Sequence, residues 1–165
     1  MKLSRTHYLD ASAIVKLFIR EEGSDTLQAY FNKESDFRTT NVCFVEALMV
    51  LKRKRFCDKV PISDEEYFSA CDQLLGWAHK KIEIEDIEMK DRMVFSEVEK
   101  VARKYNIDVS DAFQIVSVKG NYFSRFKSDS KPILITGDGP LAKAAEMEEI
   151  RVWNVREKPE PDRGN

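Results

Sequence analysis

Hydrophobic and polar residues follow two different spacings along this chain, and the two spacings alternate from one end to the other. Short apolar or alternating runs predict five β-strands, at residues 6–9, 36–40, 82–87, 131–136 and 150–155. Apolar positions three or four residues apart predict helices at residues 11–22, 24–34, 63–81, 90–106, 110–123 and 139–149, and one more after residue 40. Strands that alternate with helices predict an α/β fold in which helices cover both faces of a parallel sheet.

The predicted helices begin at residues that favour N-caps. Ser12 is the predicted cap of the first helix, Thr40 or Asn41 that of the third, and Ser63 that of the fourth. Such side chains accept hydrogen bonds from the backbone amides that the start of a helix leaves unpaired. An acidic first turn after Ser63 supports the fourth assignment.

The third helix carries a carboxylate inside an apolar run. Glu46 is the only charged residue between Arg38 and Lys52, and helical spacing puts Val42 and Met49 on its face. An unpaired buried carboxylate costs several kcal/mol, so Glu46 is expected to have a partner.

The composition is that of a globular protein. The chain has 165 residues, 42% hydrophobic and 34% charged, which predicts a single domain over residues 1–156 and a flexible polar tail at 157–165. No apolar run approaches the roughly 20 residues of a membrane span, and the amino end lacks a signal-peptide core. Three cysteines without CxxC spacing are expected to be reduced thiols, which together favours a cytoplasmic location. The net charge of −2 excludes little, because a cluster of acids would offset basic patches.

Four acidic residues stand where one edge of such a sheet would collect them. Asp10 and Asp138 follow strands, Asp111 opens a helix, and Glu46 lies in the first turns of another. Sites in open parallel sheets form beyond the carboxyl ends of the strands, so these side chains can converge. Two like charges about 4 Å apart repel by about 4 kcal/mol at an effective dielectric of 20. The cluster therefore requires cations, or protonation of several of its members.

The type of ligand suggests which cation. Oxygen ligands without histidine or thiolate select Mg²⁺ or Mn²⁺ over zinc, and His7 and His79 have no metal-binding spacing. A divalent ion held by carboxylates keeps waters, one of which can attack phosphorus. Such an ion would also be the partner that Glu46 needs.

Each acid also has an ordinary alternative. Asp10 and Asp138 are common cap residues beside turns, and Asp111 is favourable to a helix dipole. Glu46 could pair with a base such as Lys52 or Arg53. The four acids taken together, in this order around these strands, favour the metal-site interpretation.

Four segments resemble the motifs of PIN-domain ribonucleases, and most closely those of the VapC-type toxins of bacterial toxin–antitoxin pairs. The segments are "YLDASAIVKLF", "TNVCFVEALMVL", "IDVSDAFQI" and "ILITGDGPLAKAA", the last followed by "IRVWNV". Their order spans nearly the whole chain, which makes the set specific. The resemblance implies a three-layer α/β/α PIN-like fold with a central parallel sheet, and a Mg²⁺- or Mn²⁺-dependent endoribonuclease.

The resemblance also implies roles for individual residues. The catalytic and metal-binding acids correspond to Asp10, Glu46, Asp111 and Asp138. Ser12 and Thr136 correspond to polar residues that support the ligands, and Asp108 is a competing acid ranked as a cap or supporting residue. In the family, hydrolysis leaves a 5′-phosphate and a 3′-hydroxyl, the toxins are commonly homodimers, and a small antitoxin protein blocks the site.

Basic residues are candidates for contacts with RNA phosphates. The main candidates are Lys16, Arg20, Arg53 and Lys119, followed by Lys52, Lys54, Arg55, Arg125 and Lys127. The simpler interpretation of the run at 52–55 is a helix C-terminus, which favours cations. Tyr122 and Phe123 could stack on bases, but packing in the core or at a dimer surface is the simpler interpretation. Segments 57–91 and 120–131 lengthen the chain relative to many such toxins, so the RNA target is left open.

Three rival functions remain at this point. A phosphotransfer protein with Asp10 as phosphoacceptor would explain one acid but not Glu46. A catalytically silent module that binds RNA or protein would not need the complete acid set. A housekeeping PIN nuclease in RNA processing would share the chemistry and differ only in its biological partner.

Overall fold

Five strands and seven helices alternate along the part of the chain that the structure describes. This part comprises residues 5–86, 91–119 and 132–161 of a computed structural model. The elements are β1 (His7–Leu9), α1 (Ala11–Phe18), α2 (Ser24–Lys33), β2 (Phe37–Thr40), α3 (Asn41–Phe56), α4 (Asp64–Ala78), β3 (Ile82–Glu85), α5 (Arg92–Tyr105), α6 (Val109–Lys119), β4 (Ile133–Thr136), α7 (Gly139–Met147) and β5 (Arg151–Asn154). None of the described helices is long and apolar enough to cross a lipid bilayer.

The strands form one parallel sheet in the order β3-β2-β1-β4-β5. On β1, Tyr8 is in register with Arg38 of β2 on one side and with Leu134 of β4 on the other. β1 is thus the central strand, with β2 and β3 on one side of it and β4 and β5 on the other. The boundary between β1 and β4 is the topological switch point, where open α/β sheets bind their ligands.

Alternate residues of the central strands face two separate cores. Leu9 and Ile135 belong to a core built with α1, α2, α3 and α4. Tyr8 and Leu134 face the other way and pack with α5, α6 and α7. This alternation follows from the two-residue period of a strand. Helices therefore cover both faces of the sheet, and the predicted three-layer α/β/α fold is confirmed.

Capping side chains start several of these helices, with one difference from expectation. Asp10, not Ser12, is the N-cap of α1, and its carboxylate accepts a hydrogen bond from the Ser12 amide. The prediction of Ser12 as the cap is wrong, because α1 begins directly after Asp10 and Ser12 lies within its first turn. Thr40 caps α3, and Ser63 forms a reciprocal capping box with Glu66 on α4, as expected.

The turn between α1 and α2 depends on Gly23. Ile19 is extended (φ −113°, ψ 130°), so α1 ends at Phe18 rather than continuing to residue 22 as predicted. Gly23 then adopts φ 85°, in the left-handed region. A Cβ at this position would lie 2.5 Å from the carbonyl oxygen of Val155, so both the backbone conformation and the packing require glycine.

The described residues beyond β5 contact the body of the domain. The indole Nε1 of Trp153 donates to the carbonyl oxygen of Lys158 at 3.1 Å. Lys33 pairs with Glu160 at 3.2 Å, and both groups are exposed to solvent or partly so. Exposed pairs of this kind contribute little stability. The flexibility of the segment 157–165, of which residues 162–165 lie outside the described ranges, stays a prediction.

Leu74 and Leu75 are neighbours on α4 that have opposite environments. Leu74 is fully buried, whereas Leu75 is 47% exposed. We expect Leu74→Ala to lower the free energy of unfolding by about 2–5 kcal/mol and Leu75→Ala by less than about 1 kcal/mol, because only the first leaves a cavity. Urea unfolding followed by circular dichroism measures both. Equal losses would mean that α4, within the long segment 57–91, does not pack on the core as described.

Candidate active site

The site lies where β1 and β4 end, at the switch point of the sheet. Asp10 directly follows β1, and its backbone amide donates to the carbonyl oxygen of Ile135 on β4 at 3.0 Å. The side chain of Asp10 is only 3% exposed. The parallel pairing of two strands that are far apart in sequence therefore delivers a carboxylate to the carboxyl edge of the sheet.

Hydroxyl groups hold the Asp10 carboxylate in place. Its Oδ2 accepts hydrogen bonds from the Ser12 hydroxyl at 2.5 Å and from the Thr136 hydroxyl at 2.8 Å. The Ser12 hydroxyl oxygen in turn accepts from the Gly137 amide at 2.8 Å. Burial raises the pKa of Asp10, whereas the hydrogen bonds from Ser12 and Thr136 act in the opposite direction. Ser12 and Thr136 thus lie where a supporting role would require them.

Asp138 is held by the helix that follows it. Its Oδ1 accepts from the Leu141 amide at 2.8 Å and caps α7, and its own amide donates to the Thr136 hydroxyl oxygen at 2.9 Å. The ordinary interpretation of Asp10 and Asp138 as N-caps is therefore correct as far as it goes. It is also compatible with a site, because capping fixes both carboxylates at the same edge of the sheet.

Glu46 comes to the same place from α3. The side chain is half-buried, and its Oε2 is buried without a hydrogen-bond partner among the described residues. Burial raises the pKa of Glu46, and the nearby charges of Asp10, Asp108 and Asp138 raise it further, while a hydrogen bond with Ser110 opposes the shift. Ser110 is therefore a partner for Glu46, but the described part of the protein supplies none for its Oε2.

The basic residues at the end of α3 either pair with other acids or lie away from Glu46. Lys54 pairs with Glu21, and Arg55 pairs with Asp64 at 2.6 Å. Lys52 and Arg53 are exposed at the far end of α3. Because an α-helix rises 1.5 Å per residue, Lys52 and Arg53 lie roughly 9 Å or more from Glu46 along the helix axis.

Asp111 shows most directly that the acids converge. Burial raises its pKa to about 7, and the charges of Asp10, Asp138, Glu46 and Asp108 all contribute in the same direction. Asp108 itself is exposed, and its backbone carbonyl accepts the first helical hydrogen bond, from the Ala112 amide at 3.0 Å. Asp108 therefore lies at the start of α6, next to the other acids and exposed to solvent.

The acid cluster, defined as Asp10, Glu46, Asp111 and Asp138, suits a hydrated divalent cation. Its candidate ligands are all carboxylate oxygens, a bound cation would offset their mutual repulsion, and Glu46 Oε2 is a buried oxygen without a partner among the described residues. No group of three or more His, Cys, Asp or Glu side chains in the described residues is close enough to enclose an ion. Mg²⁺ is commonly held by one or two carboxylates and keeps several waters, so the donor set fits an ion of that kind.

Two further polar residues belong to the site and were missed in the sequence. Ser110 hydrogen-bonds to Glu46. Gln114 is buried on α6, donates from Nε2 to the Thr40 hydroxyl at 3.0 Å, and has a buried Oε1 without a partner among the described residues. Gln114 links α6 to the N-cap of α3, the two helices that carry Asp111 and Glu46. Its signal was present: Gln114 is a lone amide in the apolar run "AFQIVSV", three residues after Asp111.

The predicted RNA-binding residues lie apart from the acids or are already paired. Lys16 is buried and pairs with Glu21 at 2.8 Å. Arg20, Arg53 and Lys119 are exposed on three different helices or helix ends. Residues 122–127, which hold the aromatic and basic candidates of the second long segment, lie outside the described residues. A contact of any of these side chains with RNA stays a prediction.

Comparisons with known proteins agree with this fold. A family model described as PIN domain matches residues 7–146, so the chain belongs to the PIN-domain family, which has a nuclease fold and generally uses divalent metal ions. Among solved structures, the chain is similar to PAE2754 from Pyrobaculum aerophilum, with 17% sequence identity, 87% of each chain covered and a TM-score of 0.54. At that identity the likeness supports the fold alone. Among curated proteins the comparison finds no significant match.

The raised pKa of Asp111 predicts a dependence of stability on pH. Between its ordinary value of 3.8 and about 7, the folded protein keeps a proton on Asp111 that the unfolded chain has released. Stability therefore falls as pH rises through this window, and Asp10 and Glu46 act in the same direction. In EDTA, we expect Asp111→Asn to raise the melting temperature at pH 7.5 and to flatten its decline between pH 5 and 7.5.

The matched control is Asp25→Asn, which replaces an exposed aspartate on α2. Thermal unfolding of the three proteins over this pH range gives the comparison. A pH profile of Asp111→Asn that is identical to that of the wild type would mean that Asp111 carries no such penalty, and that the acids do not converge.

Proposed function

We propose that this chain is a Mg²⁺- or Mn²⁺-dependent endoribonuclease that hydrolyses RNA phosphodiester bonds. The observation that carries the proposal is the convergence of the acids: the charges of Asp10 at the start of α1, Glu46 on α3 and Asp138 at the start of α7 all raise the pKa of Asp111 on α6. If these acids served only as helix caps, they would have no reason to lie close to one another. Membership of the PIN-domain family supports the same chemistry.

The residues of the chain have distinct tasks in this proposal. When bound, a divalent cation supplies a Lewis acid that activates water and neutralises charge at phosphorus. Asp10, Glu46, Asp111 and Asp138 would hold it, one or two of them directly and the others through its bound waters. Ser12 and Thr136 keep Asp10 Oδ2 in a fixed position, and Ser110 does the same for Glu46. Such positioning matters because small displacements of catalytic groups cost large factors in rate.

The burial of Asp10 speaks against the phosphotransfer alternative. A phosphoacceptor must reach the phosphoryl donor with one carboxylate oxygen, yet Asp10 is 3% exposed and its Oδ2 accepts from two hydroxyls. Its environment instead suits a fixed ligand beneath the surface of the site.

We further propose that the protein is the toxin of a toxin–antitoxin pair, acting in the cytoplasm as a homodimer and inhibited by an antitoxin protein. This assignment is supported by the resemblance of the four sequence segments to VapC-type toxins. The deciding observation is the neighbouring reading frame. A short gene whose product abolishes cleavage would support the toxin role, whereas its absence would favour a housekeeping PIN nuclease.

We expect the purified protein to cut single-stranded or looped RNA in the presence of Mn²⁺, leaving 5′-phosphates. Asp10→Asn and Glu46→Gln should lower the rate by about 100-fold or more, because each removes a charge from the acid cluster. Gel analysis of end-labelled RNA measures the rates, and Asp25→Asn is the control that should keep full activity. Equal cutting by all four preparations would identify a contaminant and remove the support for the assignment.

We also expect Mn²⁺ to stabilise the wild type more than the variants. A ligand that binds only the folded state raises stability by about 2.7 kcal/mol at a hundredfold excess over its Kd. The rise in melting temperature on adding Mn²⁺ should be smaller for Asp10→Asn and Glu46→Gln than for the wild type and Asp25→Asn. The same rise in all four would contradict a carboxylate metal site, independently of any nuclease assay.

A further inference from the structure

An apolar groove opens beside the acid cluster and is not explained by metal binding. It has a volume of about 520 Å³ and is lined by Asn41, Val42, Val45, Glu46, Met49 and Ser110. We call the side of this groove formed by Val42, Val45 and Met49 the α3 wall. Val45 is 54% exposed and Met49 is 65% exposed, so the wall faces solvent instead of the core.

The α3 wall is continuous with the site because Glu46 belongs to both. Val42, Val45 and Met49 lie four residues before, one before and three after Glu46 on the same helix. Ser110, which hydrogen-bonds to Glu46, closes the other side of the groove. Whatever occupies the groove therefore lies against a residue of the acid cluster.

The size of the groove argues for a small occupant. Six residues line it, whereas a stable protein–protein interface involves about 20–30 residues on each side. The next exposed apolar side chain on α3, Phe56, lies roughly 10 Å farther along the helix from Met49, at 1.5 Å per residue. The α3 wall is thus a local feature rather than part of a continuous apolar stripe along α3.

The chemistry of the wall points to one part of an RNA strand. Phosphates and riboses are polar or charged, and a bare aliphatic surface beside carboxylates offers them nothing. A nucleobase is neutral and has an apolar face, and it lies only a few ångströms from the phosphate of its own nucleotide. Bases pack on protein surfaces in this way when they are unstacked from a helix.

Resting on the function proposed above, we propose that the α3 wall holds the base of the nucleotide next to the scissile phosphate by apolar packing. A base inside a duplex is stacked and paired, so its face cannot reach the wall. The groove would therefore restrict cleavage to RNA with an unpaired base at the cut, and would do so with little preference for which base it is.

The test combines a change in the groove with a change in the substrate. A single-stranded oligoribonucleotide with one mapped cut is compared with versions that carry one abasic nucleotide, scanned across the positions around the cut. KM and kcat are measured with Mn²⁺ for the wild type and for the double variant Val45→Ala/Met49→Ala. The matched control is Met147→Ala, since Met147 is 62% exposed but lies at the far end of α7.

We expect the double variant to raise KM by about tenfold with kcat little changed, because packing on a base contributes to binding before and during the reaction. In the wild type, an abasic nucleotide next to the cut should raise KM to a similar extent. In the double variant the same abasic nucleotide should cause no additional loss, which is the coupling expected of two groups in contact. Met147→Ala should behave as the wild type.

Other results would overturn the inference. Equal effects of the abasic nucleotide in the wild type and the double variant would mean that the base does not touch the α3 wall. Light scattering that shows a dimer for the wild type and a monomer for the double variant would assign the wall to a second copy of the chain. A wild type that cuts no RNA would instead refute the proposed function, and the inference would fall with it.

Discussion

The burial of several carboxylates beside one another at the switch point of the sheet is the constraint on which the rest of the site depends. Asp10 and Asp138 are fixed at the ends of β1 and β4, and α3 and α6 add Glu46 and Asp111 from the side. Each acid is favourable or neutral in its own element, and the cost arises from the burial of Asp10, Glu46 and Asp111 and, at Glu46 and Asp111, also from the charges of the neighbouring acids. The parallel sheet and the helix N-termini bring these acids together, so the folded state accepts raised pKa values at the place where the proposed cation would bind.

The helix caps explain how this strained cluster keeps its geometry. Asp10 and Asp138 each serve as an N-cap, which ties the carboxylate to the backbone of the following helix. The Thr40 hydroxyl caps α3 and also accepts from Gln114 on α6. The N-cap hydrogen bonds that start these helices therefore also orient the carboxylates of the site.

The alternation of strands and helices was predictable from the spacing of apolar residues. Apolar residues recur every two residues in a half-buried strand and every three or four residues in a helix. The positions of Asp10 and Asp138 at one edge were also predictable, since the carboxyl ends of parallel strands share that edge; the role of the acids as metal ligands stays a prediction. Local details were not predictable. Asp10 takes the capping role expected of Ser12, because the N-cap of α1 lies two residues earlier than propensity indicates. The role of Ser110 depends on how α6 approaches α3, a distance that no local pattern encodes.

The pairing of β1 with β4 also determines when the site can exist. Asp10 meets Thr136 across 126 residues, and the strand that carries Thr136 is flanked by β5 near the carboxyl end of the described chain. When a ribosome has made the first hundred residues, Asp10 and Glu46 have been synthesised, but β4 and Asp138 have not. Contacts so distant in sequence form late in folding. The nascent chain therefore lacks the complete acid cluster while it is still next to the ribosomal RNA.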